Sequence, residues 1–315
     1  MAPPTLMPNF SAFRSARAPL SKWGFQNTRW LEMTAQPIPF PEALPRPAPM
    51  PRMIRAEGQV RAGFISSARG TALSTLYESG GYRLKFPRGD VCEAVLVNTG
   101  GGMAGGDRLA VDLHFEGETK AVITTQSAEK IYRADGQGSE IDIALNIEAR
   151  AQVTWLPQEM ILFSGARLSR RFTVDMKAEA SLTLFESTIF GRVAMGETIT
   201  EGLFRDRWRV RREGRLIFAD DVLIENNIAA HLDRKAVGKG ARAVGTCLFI
   251  APDAEARLEE ARQALHEAPC ECAASAWNGM MIVRFVARDP VALRRSATQF
   301  LSRFRNTALP RVWQC

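Results

Sequence analysis

From Val60 to about Ile228 the chain is written almost entirely in period two. Leu109, Val111, Leu113 and Phe115 alternate with Arg108, Ala110, Asp112 and His114, which gives an extended strand one apolar face. Comparable runs follow in KAVITTQ, EIDIALNIE, QVTWLP, RRFTVDM, ASLTLFES, RWRVRR and RLIFADDVLIE, several of them separated by turn signals such as ADGQG and REGR. No helical pattern of useful length interrupts them, and no fixed-period repeat runs through them. The pattern changes late in the chain. DAEARLEEARQALHEA (Asp253 to Ala268) starts on a capping residue and carries its apolar side chains at helical spacing. GMMIVRFVA is a strand. DPVALRRSATQFLSRFRN then opens with Asp289 as N-cap and Pro290 at the first helical position. The expectation is a mainly β protein with two C-terminal α-helices.

Composition narrows the class. At 315 residues, 46% hydrophobic and 24% charged, the chain has the make-up of a soluble globular protein. No apolar run approaches the roughly eighteen residues needed to cross a bilayer, so no membrane is expected. The net charge of +7 is spread among acids. Its densest cluster, RDRWRVRREGR (Arg205 to Arg215), sets arginines on alternate positions of a strand, the pattern of a solvated face; an acidic partner is the next reading and nucleic acid the last. Five cysteines without framework spacing, and no apolar run of the signal-peptide type near the N-terminus, predict a cytoplasmic location. Eleven of the seventeen prolines lie at or before Pro51. Residues 1–53 are therefore expected to form a disordered, proline-rich extension ahead of a β-rich domain over 54–315.

VLVNTGGGMAGGDRLAVDLHF (Val95 to Phe115) raises a sharper question. Gly100, Gly102 and Gly105 satisfy the dinucleotide-binding pattern G-x-G-x-x-G. That fingerprint needs a helix after the loop, whose N-terminus receives the pyrophosphate. Here an alternating strand follows, and no Gly-Lys-Ser/Thr ending makes a P-loop. The glycines Gly100, Gly101, Gly102, Gly105 and Gly106 instead allow positive φ or the close approach of another segment, or form a long hairpin turn.

NTGGGMAGGDRL (Asn98 to Leu109) resembles the signature of the UreD family of urease accessory proteins, also called UreH. The resemblance continues in order through TQSAEKIYRA (Thr125 to Ala134), WLPQEMILFSGARL (Trp155 to Leu168), GRVAMGE (Gly191 to Glu197) and LPRVW (Leu309 to Trp313), from about Glu57 to Trp313. It implies a β-helix-like stacking of sheets with two C-terminal helices. It implies a scaffold and not an enzyme: a chaperone of nickel insertion and metallocentre assembly in urease, working in a complex with a UreF-type helical protein and a UreG-type GTPase. That complex docks on apo-urease, with dimerisation within it allowed, and passes nickel along an internal route. No cofactor is held tightly; nickel is in transit.

Such a route must release its metal. Thiolate or imidazole cages would trap nickel, whereas carboxylates and carbonyls hold it loosely. Asp107, at the end of the glycine loop, is the first candidate; its alternative is a turn aspartate accepting backbone hydrogen bonds. Glu186 breaks the apolar run of LTLFESTIFGR and faces either solvent or an internal channel. Asp220, beside Asp221 in LIFADDVLIE, is the third. Glu129, Glu159 and Glu197 fall inside the motif blocks and could equally be structural partners of Lys130, Arg167 or Arg192. His114, His231 and His266 form no recognised pair. HEAPCEC gathers His266, Cys270 and Cys272 in a weak C-x-C signal. Cys92 and Cys247 read as core thiols. Tyr132 and Arg133, with Trp155 and Phe163, are interface candidates, and Gly191 and Arg192, with Met195 and Gly196, form a candidate contact loop. The rival reading is a β-rich hydrolase using Asp220 and Glu186 as general acid and base, although no nucleophile motif is present.

Overall fold

The computed structural model describes residues 55–314, so the expectation for residues 1–53 lies outside the described residues. Strands β1 (Glu57–Ser67) and β2 (Gly70–Ser79) form a hairpin, and β3 (Tyr82–Lys85) leads antiparallel into β4 (Cys92–Asn98). The chain then winds between two sheets. It passes to β5 (Arg108–Phe115) in one sheet and returns to β6 (Lys120–Thr125) in the other. By way of β7 (Glu129–Ile131) it reaches β8 (Ser139–Ile147), then β9 (Gln152–Leu156). By way of β10 (Met160–Leu162) it reaches β11 (Arg167–Met176), then β12 (Ser181–Phe190) and β13 (Leu203–Arg212). Within each sheet these successive strands pair in parallel, as coils of a β-helix require. The chain is mainly β and solenoid-like.

Alternation explains the winding. The inward positions of the first sheet stack in register from coil to coil, as in Val60, Val111, Ile143, Phe172 and Trp208. All five are buried, so each coil covers the apolar face of the last. β14 (Arg215–Glu225) closes that sheet as an antiparallel hairpin with β13. Its seven strands run β14-β13-β11-β8-β5-β1-β2. After α1 (Ile228–Asp233), strands β15 (Ala243–Ile250), β16 (Glu271–Trp277) and β17 (Met280–Ala287) extend the second sheet in the order β12-β15-β17-β16, each antiparallel to its neighbour.

Helices α2 (Leu258–Leu265) and α3 (Pro290–Arg305) form a second core with this extension, in which Phe185, Phe285, Phe300, Phe304 and Trp313 pack. Asp289 caps α3 by accepting from Val291 N, and Asn306 ends it at φ 49°. The capping residue foreseen for the other helix is displaced: α2 begins at Leu258 and its N-cap is Arg257, not Asp253. Helix α1 was not anticipated; its Asn227 cap accepts from Ala230 N. No helix among the described residues is long and apolar enough to cross a membrane.

A short third ladder runs up one corner. Met103, Ile131, Leu162 and Phe190 occupy the same place on successive coils, joined by parallel pairing. The four motif blocks from Asn98 to Glu197 all supply this corner. Gly105 is there for space. A Cβ on Gly105 would lie 2.6 Å from Ala134 Cβ and 2.7 Å from the Gln137 carbonyl oxygen, while Gly106 N donates to Gly138 O at 3.2 Å. The fifth block, LPRVW, returns to the third. Gln158 Nε2 donates to Val312 O at 2.6 Å, and Trp313 Nε1 donates to Leu156 O at 3.0 Å.

Candidate functional site

The inward stack that contains Leu109 and Ile141 turns ionic on the later coils, where its next members are Arg170 and Asp206. On the facing sheet, Glu186, Thr246 and Arg284 are register partners. The two polar rows meet between the sheets. Arg170 donates to Glu186 through Nη1, and to Asp206 through Nε at 2.9 Å and Nη2 at 2.6 Å. Trp155 Nε1 donates to the other oxygen of Glu186 at 2.8 Å, and Trp208 Nε1 donates to Asp206 at 3.0 Å. Arg284 bridges Asp220 and the Thr246 hydroxyl, both at 2.6 Å. This band lines a cleft of about 290 Å³, walled on its apolar side by Phe190, Phe204, Leu232 and Val244.

The electrostatics of the band follow from depth. Arg170 is only 2% exposed. Burial opposes its charge, but Asp206 and Glu186 outweigh that and hold it protonated, above the ordinary arginine value. Burial pushes the Glu186 carboxyl up, against the pull of Arg170 and Trp155. Glu186 thus faces inward, the second of the two orientations that the sequence allowed. Asp220 shares its cleft. Asp221 points to the opposite face, among Arg205, Arg207 and Arg209 at 4.0, 3.0 and 3.6 Å.

The remaining candidates are placed elsewhere. Asp107 accepts from Ala56 N at 2.8 Å and Ala104 N at 2.7 Å, the geometry of the turn aspartate named as its alternative. Glu129 accepts from the Asn98 amide at 2.9 Å and is also drawn down by Lys130, and Asn98 donates to the Tyr82 hydroxyl at 3.0 Å as well. Glu159 pairs with Arg294 at 2.6 Å, not with Arg167. Glu197 pairs with Arg192 at 3.0 Å, as the sequence allowed, and that hydrogen bond holds its carboxyl below the ordinary value. Trp155 leaves the set of interface candidates because it is buried. Tyr132 and Phe163 do meet, edge to face at 5.1 Å, with Arg192 over Phe163 at 4.6 Å and exposed Met195 in the same loop as Arg192. Arg133 reaches Asp135 at 3.4 Å and Glu201 at 3.7 Å. Cys270 bonds Ser296, and burial raises its thiol. Among the described residues, no three His, Cys, Asp or Glu side chains converge to hold a metal.

Glu129 offers a pH test. Burial raises its carboxyl to about 7, against the lowering effect of the Asn98 hydrogen bond. A raised acid favours the fold while neutral, and that contribution is lost as pH climbs from the unfolded value through about 7. Glu129→Gln keeps an acceptor for Asn98. It is expected to exceed the parent in stability by on the order of 2 kcal/mol at pH 8 and to match it at pH 4, read by urea unfolding. Equal stability at both pH values would contradict this.

The UreD urease accessory protein family matches residues 56–314. The chain belongs to this family. It is 48% identical over 265 residues to urease accessory protein UreD of Azorhizobium caulinodans, covering 84% of this chain and 98% of that one. Identity is also 48% to the proteins of the same name from Methylobacterium sp. strain 4-46, over 84% and 96% of the two chains, and from Xanthobacter autotrophicus, over 82% and 90%. These UreD proteins are named as accessory proteins, which is a non-catalytic role.

Sequence reasoning missed Arg170, Asp206 and Arg284. The signal for two of them was present: Arg170 shares the phase of Leu168, Phe172 and Val174, and Asp206 that of Phe204, Trp208 and Val210. A charge in the apolar phase of a strand is a charge inside.

Proposed function

We propose that this chain is a cytoplasmic scaffold for urease maturation that helps to bring nickel to the urease active site, in a complex with UreF-type and UreG-type partners. The observation that carries the reading is UreD family membership across residues 56–314. The acid-bearing band between the sheets is consistent with it. Carboxylates bind nickel loosely enough to release it, and water exchanges at each step. Asp220, at the open side, offers an entry ligand, while Glu186 and Asp206 lie deeper under the control of Arg170. The Tyr132–Phe163–Arg192 corner supplies an aromatic and arginine surface of the kind that partners use.

The hydrolase reading finds less support. Both oxygens of Glu186 are occupied by Trp155 and Arg170, so it is not poised to serve with Asp220 as a general acid and base pair.

The test is to produce urease with the accessory set, with and without this chain, and to measure nickel per urease active site. Urease is expected to accumulate without nickel when the chain is missing. Asp220→Asn is expected to lower nickel loading several-fold while capture of apo-urease is unchanged. Fully loaded urease in the absence of the chain would overturn the proposal.

A further inference from the structure

A second cleft, of about 610 Å³, lies on the other side of the ten-stranded sheet, where the C-terminal end of α3 leans over β9, β12 and β15. Its polar lining includes Gln152, Thr154, Ser181 and Thr183 from two adjacent strands, with Arg257 and Arg305 beside them. The two other arginines of the cleft are already engaged. Arg150 pairs with Glu118 at 3.0 Å and Glu179 at 3.3 Å. Arg257 pairs with Glu260 at 2.7 Å, donates to Phe304 O at 2.5 Å and lies 4.1 Å above the Phe304 ring.

Arg305 differs from both. Its Nη1 is buried and has no hydrogen-bond partner. Glu179 and Asp253 line the same cleft but form no ion pair with it. Cys247 provides no counter-charge at neutral pH, because burial pushes its thiol up to about 12. Burial in turn lowers the Arg305 value. Arg305 as a whole is half-buried and lines the cleft with no ion partner among the described residues, and no hydrogen bond there engages the hydroxyls of Thr154, Ser181 and Thr183.

We propose that this cleft binds a small anion carrying a carboxylate or phosphate group, whose oxygens accept from the Arg305 guanidinium and from the hydroxyls of Thr154 and Thr183. A planar fork beside several hydroxyl donors recognises such groups, and the cleft falls within the ordinary size range of small-molecule sites. The site is separate from the Arg170 band and does not rest on the nickel reading.

The test uses the full chain, free of metal, in chloride buffer at constant ionic strength. Inorganic phosphate or citrate is added, and thermal unfolding is followed. At concentrations well above Kd, either anion is expected to raise Tm by about 3 °C or more. Arg305→Met is expected to abolish that rise while leaving the anion-free Tm equal or higher, since it removes a half-buried guanidinium whose Nη1 has no hydrogen-bond partner. Thr183→Val is expected to weaken binding about tenfold. An equal rise in parent and Arg305→Met, or no rise with either anion, would overturn the proposal. So would a lower anion-free Tm in Arg305→Met, which would mark Arg305 as structural. If neither anion acts and Arg305→Met weakens urease capture, the carboxylate belongs to a protein partner and the small-ligand proposal falls.

Discussion

Arg170→Met is expected to destabilise the protein by about 3–5 kcal/mol at pH 7, the range for breaking a buried ion pair by removing one member. Arg170 is 2% exposed and is the cation that Glu186 and Asp206 share. Without it, two carboxylates remain in the space between the sheets, each with a tryptophan Nε1 as its remaining side-chain donor. The loss must then depend on pH. Burial already raises the Glu186 carboxyl, and the variant removes the Arg170 charge that pulls it down, so the variant gains stability as pH falls through the folded value of Glu186. Restoring neutrality supplies the control. Arg170→Met combined with Glu186→Gln and Asp206→Asn is expected to recover much of the loss, because the desolvation cost resides in unpaired charge and not in missing volume. Urea unfolding of the single and triple variants at pH 5 and pH 8 measures all of this. A single-variant loss under about 1 kcal/mol, or one independent of pH, would show that water reaches the band freely.

The strands were legible because alternation is local: every run named from the sequence between Lys120 and Glu225 lies on a strand. Asp289 and Pro290 announced α3 for the same reason, a cap and a first turn being adjacent in the chain. Helix α1 was not legible, since six residues are too few to show a period. The pairings Glu159–Arg294 and Glu186–Arg170 were hidden too, because they depend on how α3 packs on the sheet and on which strands of the two sheets face each other. The pleat does fix the face of each residue, so Arg170 and Asp206 could have been recognised as interior; what they touch could not. Asp107 shows the opposite limit. Its place beside Gly106 pointed to a turn, and the turn is what its side chain serves, through Ala56 and Ala104.

Gly105→Val is expected to cost about 3 kcal/mol or more, at or beyond the upper end for overpacking, whereas Gly101→Ala in the same loop is expected to cost about 1–2 kcal/mol. The two glycines serve different needs. Gly101 has φ 74° and nothing within 4 Å of the place its Cβ would take, so a side chain there meets only backbone strain. Gly105 has no positive φ; its virtual Cβ falls 2.8 Å from Ala134 Cα and 2.7 Å from Gln137 O, atoms of the next coil's backbone. Backbone held by Ala134 N donating to Gly165 O, and by Gly106 N donating to Gly138 O, cannot retreat without parting consecutive coils. The expected signature is therefore long-range. In Gly105→Val, amide exchange should quicken at Tyr132 and Ala134, whose N–H groups bond Met103 and Gly165, as well as in the glycine loop itself. In Gly101→Ala it should quicken only near the substitution. If both variants loosen only the loop, the glycines shape a turn and the corner does not depend on close stacking. If Gly105→Val loosens the coil beyond, the run that imitates a nucleotide fingerprint is the contact by which one turn of the solenoid seats on the next.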